Sequence, residues 1–272
     1  MQLMVADEAG FCAGVRRAFQ ISMETADAEG KWFTLGPLVH NKAVVDYFSQ
    51  RGIEPVENID DLTGDGIIIR SHGVSPQIIA EIEEKKLTIR DATCPLVKKV
   101  HEAAGLLLNE GYDIIVYGDM HHPEVQGILG WCGHKAQVIT SIDEVQSQKK
   151  FKKLGVISQT TRNENEFLAV VEALLPRAQE IRVFNTICSA TRKRQEAARL
   201  LSAEVDCMLV IGDRNSSNTR TLAQECQNTG VVTHVIESAQ DLDPAWFKTS
   251  DKVGVSAGAS TTLTAVSADD LQ

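Results

Sequence analysis

The chain has 272 residues, 43% hydrophobic and 24% charged, with a net charge of −10. That balance describes a folded globular protein and excludes a disordered one. The acidic excess, with only 5% aromatic residues, also excludes the basic face and stacking platforms of a nucleic-acid binder. No stretch reaches the roughly 18 consecutive apolar residues of a membrane span. The acidic start MQLMVADEAGFC lacks the basic leader and long apolar core of a signal peptide. A cytoplasmic location is therefore expected. In that compartment the six cysteines read as thiols, ligands or core residues before disulfides.

In chain order, apolar runs predict strands at Leu3–Ala6, Gly66–Arg70, Asp113–Tyr117, Lys153–Ile157, Cys207–Ile211 and Lys252–Val255. Amphipathic stretches between them predict helices, among them Pro95–Asn109 and Ser189–Ala203. This alternation is that of βαβ units with parallel sheet.

The units repeat. Cys12, Cys94 and Cys188 each follow an extended stretch (LMVADEAGFC, LTIRDATC, IRVFNTIC) and each precede a basic amphipathic helix. A glycine stands 24 residues after each, at Gly36, Gly118 and Gly212, closing the apolar runs KWFTLG, DIIVYG and DCMLVIG. Four residues beyond each glycine lies a ligand-type residue: His40, His122 or Ser216. A second apolar run then ends at His72, Thr160 or Ser260, at 60, 66 and 72 residues from its cysteine. Agreement in functional-type residues, and not only in hydrophobicity, marks a true internal repeat. The expected fold is α/β: three similar small α/β domains with parallel sheets around a pseudo-threefold axis and a central cavity. Their expected boundaries are 1–94, with the N-terminal strand carrying Cys12, then 95–187 and 188–272. Loops at the carboxyl ends of parallel strands, where these residues fall, are where α/β proteins bind ligands.

A cysteine at a helix start feels the positive end of the dipole and unpaired N–H groups, which favour thiolate. Pro95 suits a first helical position after Cys94, and Arg16, Arg17, Lys98, Lys99, Arg192 and Arg194 add positive charge. Structural zinc prefers four ligands in close pairs, yet the three cysteines lie 82 and 94 residues apart. Three thiolates leave one metal position open for a substrate, which favours catalysis over structure. Cys132, Cys207 and Cys226 fall outside the repeat and read as core. His101, His134 and His234 also lie outside it.

The blocks GFCAGVRRA, LVHNKAVV, SHGVS, DATCPLVKKVH, HPEVQG, SQTT, TICSATRKRQEA, NSSNT and AGAST, which together cover nearly the whole chain, resemble the 4-hydroxy-3-methylbut-2-enyl diphosphate reductase family. The resemblance implies a [4Fe–4S] cluster on Cys12, Cys94 and Cys188 with one open iron site facing the cavity. It implies diphosphate binding by His40, His72, Ser216, Ser217, Asn218 and Ser260. It places His122 and Thr160 near the substrate hydroxyl and gives Glu124 the role of proton donor. The implied reaction is reductive dehydroxylation of the allylic diphosphate to isopentenyl and dimethylallyl diphosphate. The implied partners are that substrate and a one-electron donor such as ferredoxin or flavodoxin, with no nucleic acid and no membrane; the protein itself would be a monomer or homodimer.

Two rival readings stand beside this one. A paralogue would use the same cluster on another substrate. A non-catalytic iron–sulfur carrier or three-cysteine zinc protein would need neither His122, Glu124 nor Asn218. The chain departs from the family after AGAST, where TTLTAVSADDLQ lacks the usual proline and apolar helix start. A compact variant or a degenerate tail is expected there, with cavity closure affected. Met120-His121 before His122 is a second unusual feature.

Overall fold

The computed structural model describes residues 1–249 and 251–261. The expectation for the tail falls, from residue 262 on, outside the described residues. Among these residues the strands are β1 (Gln2–Val5), β2 (Trp32–Leu35), β3 (Ile53–Val56), β4 (Gly66–Ile69), β5 (Thr88–Asp91) and β6 (Asp113–Tyr117). They continue with β7 (Gln137–Ile139), β8 (Phe151–Ser158), β9 (Ala178–Val183), β10 (Cys207–Ile211), β11 (Val232–Ile236) and β12 (Lys252–Ala257). The helices are α1 (Ala13–Ala26), α2 (Lys42–Ser49), α3 (Pro76–Glu84), α4 (Pro95–Asn109), α5 (Pro123–Trp131), α6 (Glu164–Leu174), α7 (Ser189–Ser202) and α8 (Ser217–Asn228). None of the helices in the described residues is long and apolar enough to cross a membrane.

The chain forms two compact units. One comprises residues 16–39 and 43–188; the other comprises 1–15, 40–42 and the chain from 189 on. The first holds two four-stranded sheets, ordered β3-β2-β4-β5 and β7-β6-β8-β9, and the second holds one, ordered β11-β10-β12-β1. Every pairing is parallel. Each sheet thus has the same order: second, first, third and fourth strand of its module. The α/β class and the threefold likeness are as expected. The membership of β1 is not: expected in the segment 1–94, it pairs with β12, Gln2 opposite Lys252 through Val5 opposite Val255. The N-terminal strand therefore completes the last sheet.

Composition explains the layout. The first and third strands of each module are central and buried, and they read as continuous apolar runs, such as Ile67–Ile69 and Ile114–Tyr117. The second and fourth strands lie at edges and are more exposed, as in IEPV of β3 and AQEIRV of β9. At each first-strand exit the repeat glycine donates its N–H to the last residue of the second strand: Gly36 to Val56 O (2.7 Å), Gly118 to Ile139 O (2.9 Å) and Gly212 to Ile236 O (2.9 Å). This bond fixes where the chain leaves the sheet to begin α2, α5 and α8.

Candidate active site

All three repeat cysteines stand at helix starts. Cys94 caps α4 ahead of Pro95, while Cys12 and Cys188 immediately precede α1 and α7. The Val15 N–H approaches the Cys12 Sγ at 3.4 Å. Each cysteine N–H also donates to a carbonyl at the end of a third strand: Cys12 to Ala259 O (3.0 Å), Cys94 to Ser71 O (3.0 Å) and Cys188 to Thr160 O (2.9 Å). The structure therefore pairs Cys94 with the His72 turn, Cys188 with Thr160 and Cys12 with the Ser260 turn. Sequence order had grouped each turn with the preceding cysteine; parallel pairing of the third and fourth strands shifts every partnership by one module. All three thiols are half-buried and free of disulfides.

Basic residues expected to favour the thiolates have other work. Arg17 on α1 donates to Thr93 O (3.2 Å) and Asp91 O (3.1 Å), clamping the turn before Cys94. Arg194, buried on α7, donates to Gly10 O (2.7 Å) and clamps the turn before Cys12. Lys98 pairs with Asp91. Sequence reading missed these clamps, although Arg194 occupies the apolar register of Ala198 and Leu201, which signalled burial. Cys132, Cys207 and Cys226 are buried in the core as expected, and burial raises all three thiols, Cys132 to about 12.

In the larger unit four of the singled-out residues gather. His122 caps α5, its Nδ1 accepting the Glu124 N–H at 3.1 Å. With Nδ1 an acceptor, the neutral ring carries its proton on Nε2 and presents a donor there. The His72 ring meets the His122 ring edge-on, with centroids 5.4 Å apart. Glu124, 2% exposed, accepts from the Thr160 N–H (2.7 Å, Oε1) and the Thr160 hydroxyl (2.9 Å, Oε2). Burial pushes its carboxyl up to about 7, against the lowering effect of both Thr160 bonds. A buried acid raised toward neutrality is suited to proton delivery.

In the smaller unit, Ser260 Oγ donates to His40 O (2.8 Å), and Asn41 Nδ2 returns a bond to Ser260 O (2.6 Å). These two bonds tie the His40 segment to the end of β12, and Asn41 had not been singled out from sequence. Ser216 caps α8 by accepting the Thr219 N–H (3.4 Å). Ser216, Ser217 and Asn218 are all buried, and Asn218 Nδ2 has no hydrogen-bond partner among the described residues. A buried amide donor at a helix N-terminus, beside hydroxyls, is a ready anion site.

Glu124 also makes a stability prediction. Its carboxyl is raised in the folded protein, from 4.5 to about 7. Between those values the unfolded chain releases a proton that the folded protein holds, so the penalty grows as pH rises and is complete above about 7. Glu124→Gln mimics the protonated acid and removes that penalty. The variant is expected to melt above wild type at pH 8, by an amount on the order of 3 kcal/mol, and to converge with it below pH 4.5. Thermal unfolding at the two pH values checks this.

Parallel modules with ligand-type residues at strand ends, a buried acid raised toward neutrality and an unpaired buried amide describe an α/β protein with the makings of an enzyme active site. The sequence pattern described as LytB protein matches residues 3–268. A 4-hydroxy-3-methylbut-2-enyl diphosphate reductase from Pelobacter propionicus is 48% identical over 261 residues, 96% of this chain and 93% of that protein. One from Geobacter sulfurreducens is 44% identical over the same shares. The solved structure of the E-1-hydroxy-2-methyl-but-2-enyl-4-diphosphate reductase from Plasmodium falciparum superposes with a TM-score of 0.90 at 31% identity, covering 97% of this chain and 85% of that one. The chain belongs to this family of LytB reductases.

Proposed function

We propose that the protein reductively dehydroxylates 4-hydroxy-3-methylbut-2-enyl diphosphate to isopentenyl and dimethylallyl diphosphate, using a [4Fe–4S] cluster held by Cys12, Cys94 and Cys188. The observation that carries the substrate class is Asn218: a buried amide whose donor has no partner among the described residues, at the start of α8 and beside two buried serines. The donor set fits the cluster. Three half-buried thiols occupy equivalent places in three like modules, and the other three cysteines are spent in the core. When bound, such a cluster supplies single electrons and one iron without a protein ligand.

The chain's own residues do the rest. Overall, the substrate gains two electrons and two protons, loses its hydroxyl as water and forms a new C–H bond. Ser216, Ser217, Asn218, Ser260, His40 and His72 bind and orient the diphosphate. His122 and Thr160 border the hydroxyl end, and Glu124 delivers the proton that turns the hydroxyl into water. Thr160 holds both carboxyl oxygens, so the acid is aimed before the substrate arrives. The electrons come from a one-electron donor such as ferredoxin or flavodoxin, in a cytoplasmic setting.

Anion recognition is tested at Asn218. Asn218→Ala is expected to weaken inorganic pyrophosphate as a competitive inhibitor by roughly 10- to 150-fold, since a charge-assisted bond is worth about 1.5–3 kcal/mol. If the free allylic alcohol binds as tightly as its diphosphate, the polar residues have been assigned to the wrong ligand.

A further inference from the structure

The geometry points to His101, backed by Trp131, as a positioning residue that holds the His72 turn and the Glu124 helix in register. The inference rests on the function proposed above. His101 lies seven residues after Cys94, two turns along the same face of α4. Its ring fills the space between two glycines. A Cβ on Gly73, beside His72, would stand 2.6 Å from His101 Cε1; one on Gly127, a turn beyond Glu124, would stand 3.4 Å from His101 Nε2. No bulkier residue fits at Gly73, whose φ of +69° also suits glycine.

The ring stacks on Trp131 of α5, with centroids 5.3 Å apart and planes 17° apart. The Trp131 indole N–H donates to Val74 O at 3.1 Å, two residues after His72. The Cys94 helix, the His72 turn and the Glu124 helix thus meet on one pair of rings. The pair also borders a cavity of about 260 Å³, lined as well by Val74, Thr93 and Lys98. The turn and the helix also touch directly, at Val74 beside Gly127 and Ser75 beside Gly130, so the ring sets their spacing at the His72 end. Burial lowers the His101 pKa to about 4, so the ring works as a neutral wedge near pH 7. His101 Nε2 is buried without a hydrogen-bond partner among the described residues, which fits a spacer better than a proton carrier.

The test compares His101→Ala, His101→Phe and Gly127→Ala with wild-type holoenzyme. Misplacement of reacting groups on the order of 1 Å costs up to about 100-fold in rate. His101→Ala is expected to keep its iron, lose at least about tenfold in kcat and raise KM for the allylic diphosphate. His101→Phe, which restores a flat neutral ring, should recover to within about threefold of wild type. Gly127→Ala sets a methyl group at contact distance from the ring, on the Glu124 helix. It should keep turnover within about threefold of wild type and leave the melting temperature equal or higher, because alanine favours helix, which shows that loss of the ring, and not any change at this contact, causes the His101→Ala defect. Amide hydrogen exchange reads the wedge without turnover: the His101→Ala variant should exchange faster at residues 72–75 and at the Thr160 amide. Should wild type itself fail to consume the substrate, the functional reading fails and the exchange arm still decides the wedge. Wild-type kinetics and exchange in His101→Ala, or a Phe variant as impaired as the Ala variant, overturn the inference.

Discussion

Glu124→Gln is expected to keep the cluster and to bind substrate while turnover falls by about 10²- to 10⁴-fold, the usual contribution of a positioned general acid. The substitution preserves size and both Thr160 contacts in outline: the amide oxygen accepts the Thr160 N–H, and the amide nitrogen faces the Thr160 hydroxyl. Only the transferable proton is lost. The pH dependence follows from burial. The carboxyl sits at about 7, so it is protonated below that value and ionised above it. Wild-type kcat should fall as pH rises through about 7, while the residual rate of the Gln variant should lack that limb. Single-turnover rates across pH 5.5–8.5 in the presence of excess reductant measure both. Turnover of the Gln variant within a fewfold of wild type, on the same pH limb, would assign the proton to another group.

The second large effect concerns the cysteines. Serine at Cys12, Cys94 or Cys188 is expected to abolish turnover and strip or degrade the cluster, since each is proposed to supply one of its three protein ligands and no other cysteine stands outside the core. Serine at Cys132, Cys207 or Cys226 should leave iron content unchanged. It should instead lower stability, most at Cys132 and by about 1–3 kcal/mol there, because it places a hydroxyl in an apolar core; Cys226 has Ser202 as a hydrogen-bond partner. Iron and sulfide analysis beside thermal unfolding separates the two groups. Loss of iron in the Cys132→Ser protein, with Cys94→Ser fully loaded, would reverse the assignment.

Much of this arrangement was legible in the sequence because it is local. Strand, cysteine and helix follow one another within a few residues, so Cys94-Pro95 announced the start of α4. The central strands announced themselves by apolar runs, and Asp113–Tyr117 and Cys207–Ile211 lie where the runs do. What stayed hidden is non-local or half-exposed. The second strands β3, β7 and β11 are edge strands with polar faces or only three to five residues, too weak a pattern to read. The pairing of β1 with β12 joins the two ends of the chain, and the same parallel pairing shifts each cysteine to a turn in a different module. The Arg17 and Arg194 clamps looked like surface charge, because an arginine that bonds a carbonyl and one that faces water are written alike. His101 is a like case: nothing in VKKVH shows that its ring separates Gly73 from Gly127.

One measurement bears on the whole account. Protein isolated anaerobically is assayed for iron, acid-labile sulfide and consumption of 4-hydroxy-3-methylbut-2-enyl diphosphate with a one-electron reductant. Brown protein with roughly four irons per chain that converts the substrate to isopentenyl and dimethylallyl diphosphate is the expected result. A colourless protein carrying stoichiometric zinc, or a fully loaded cluster that leaves the allylic diphosphate untouched, would contradict it.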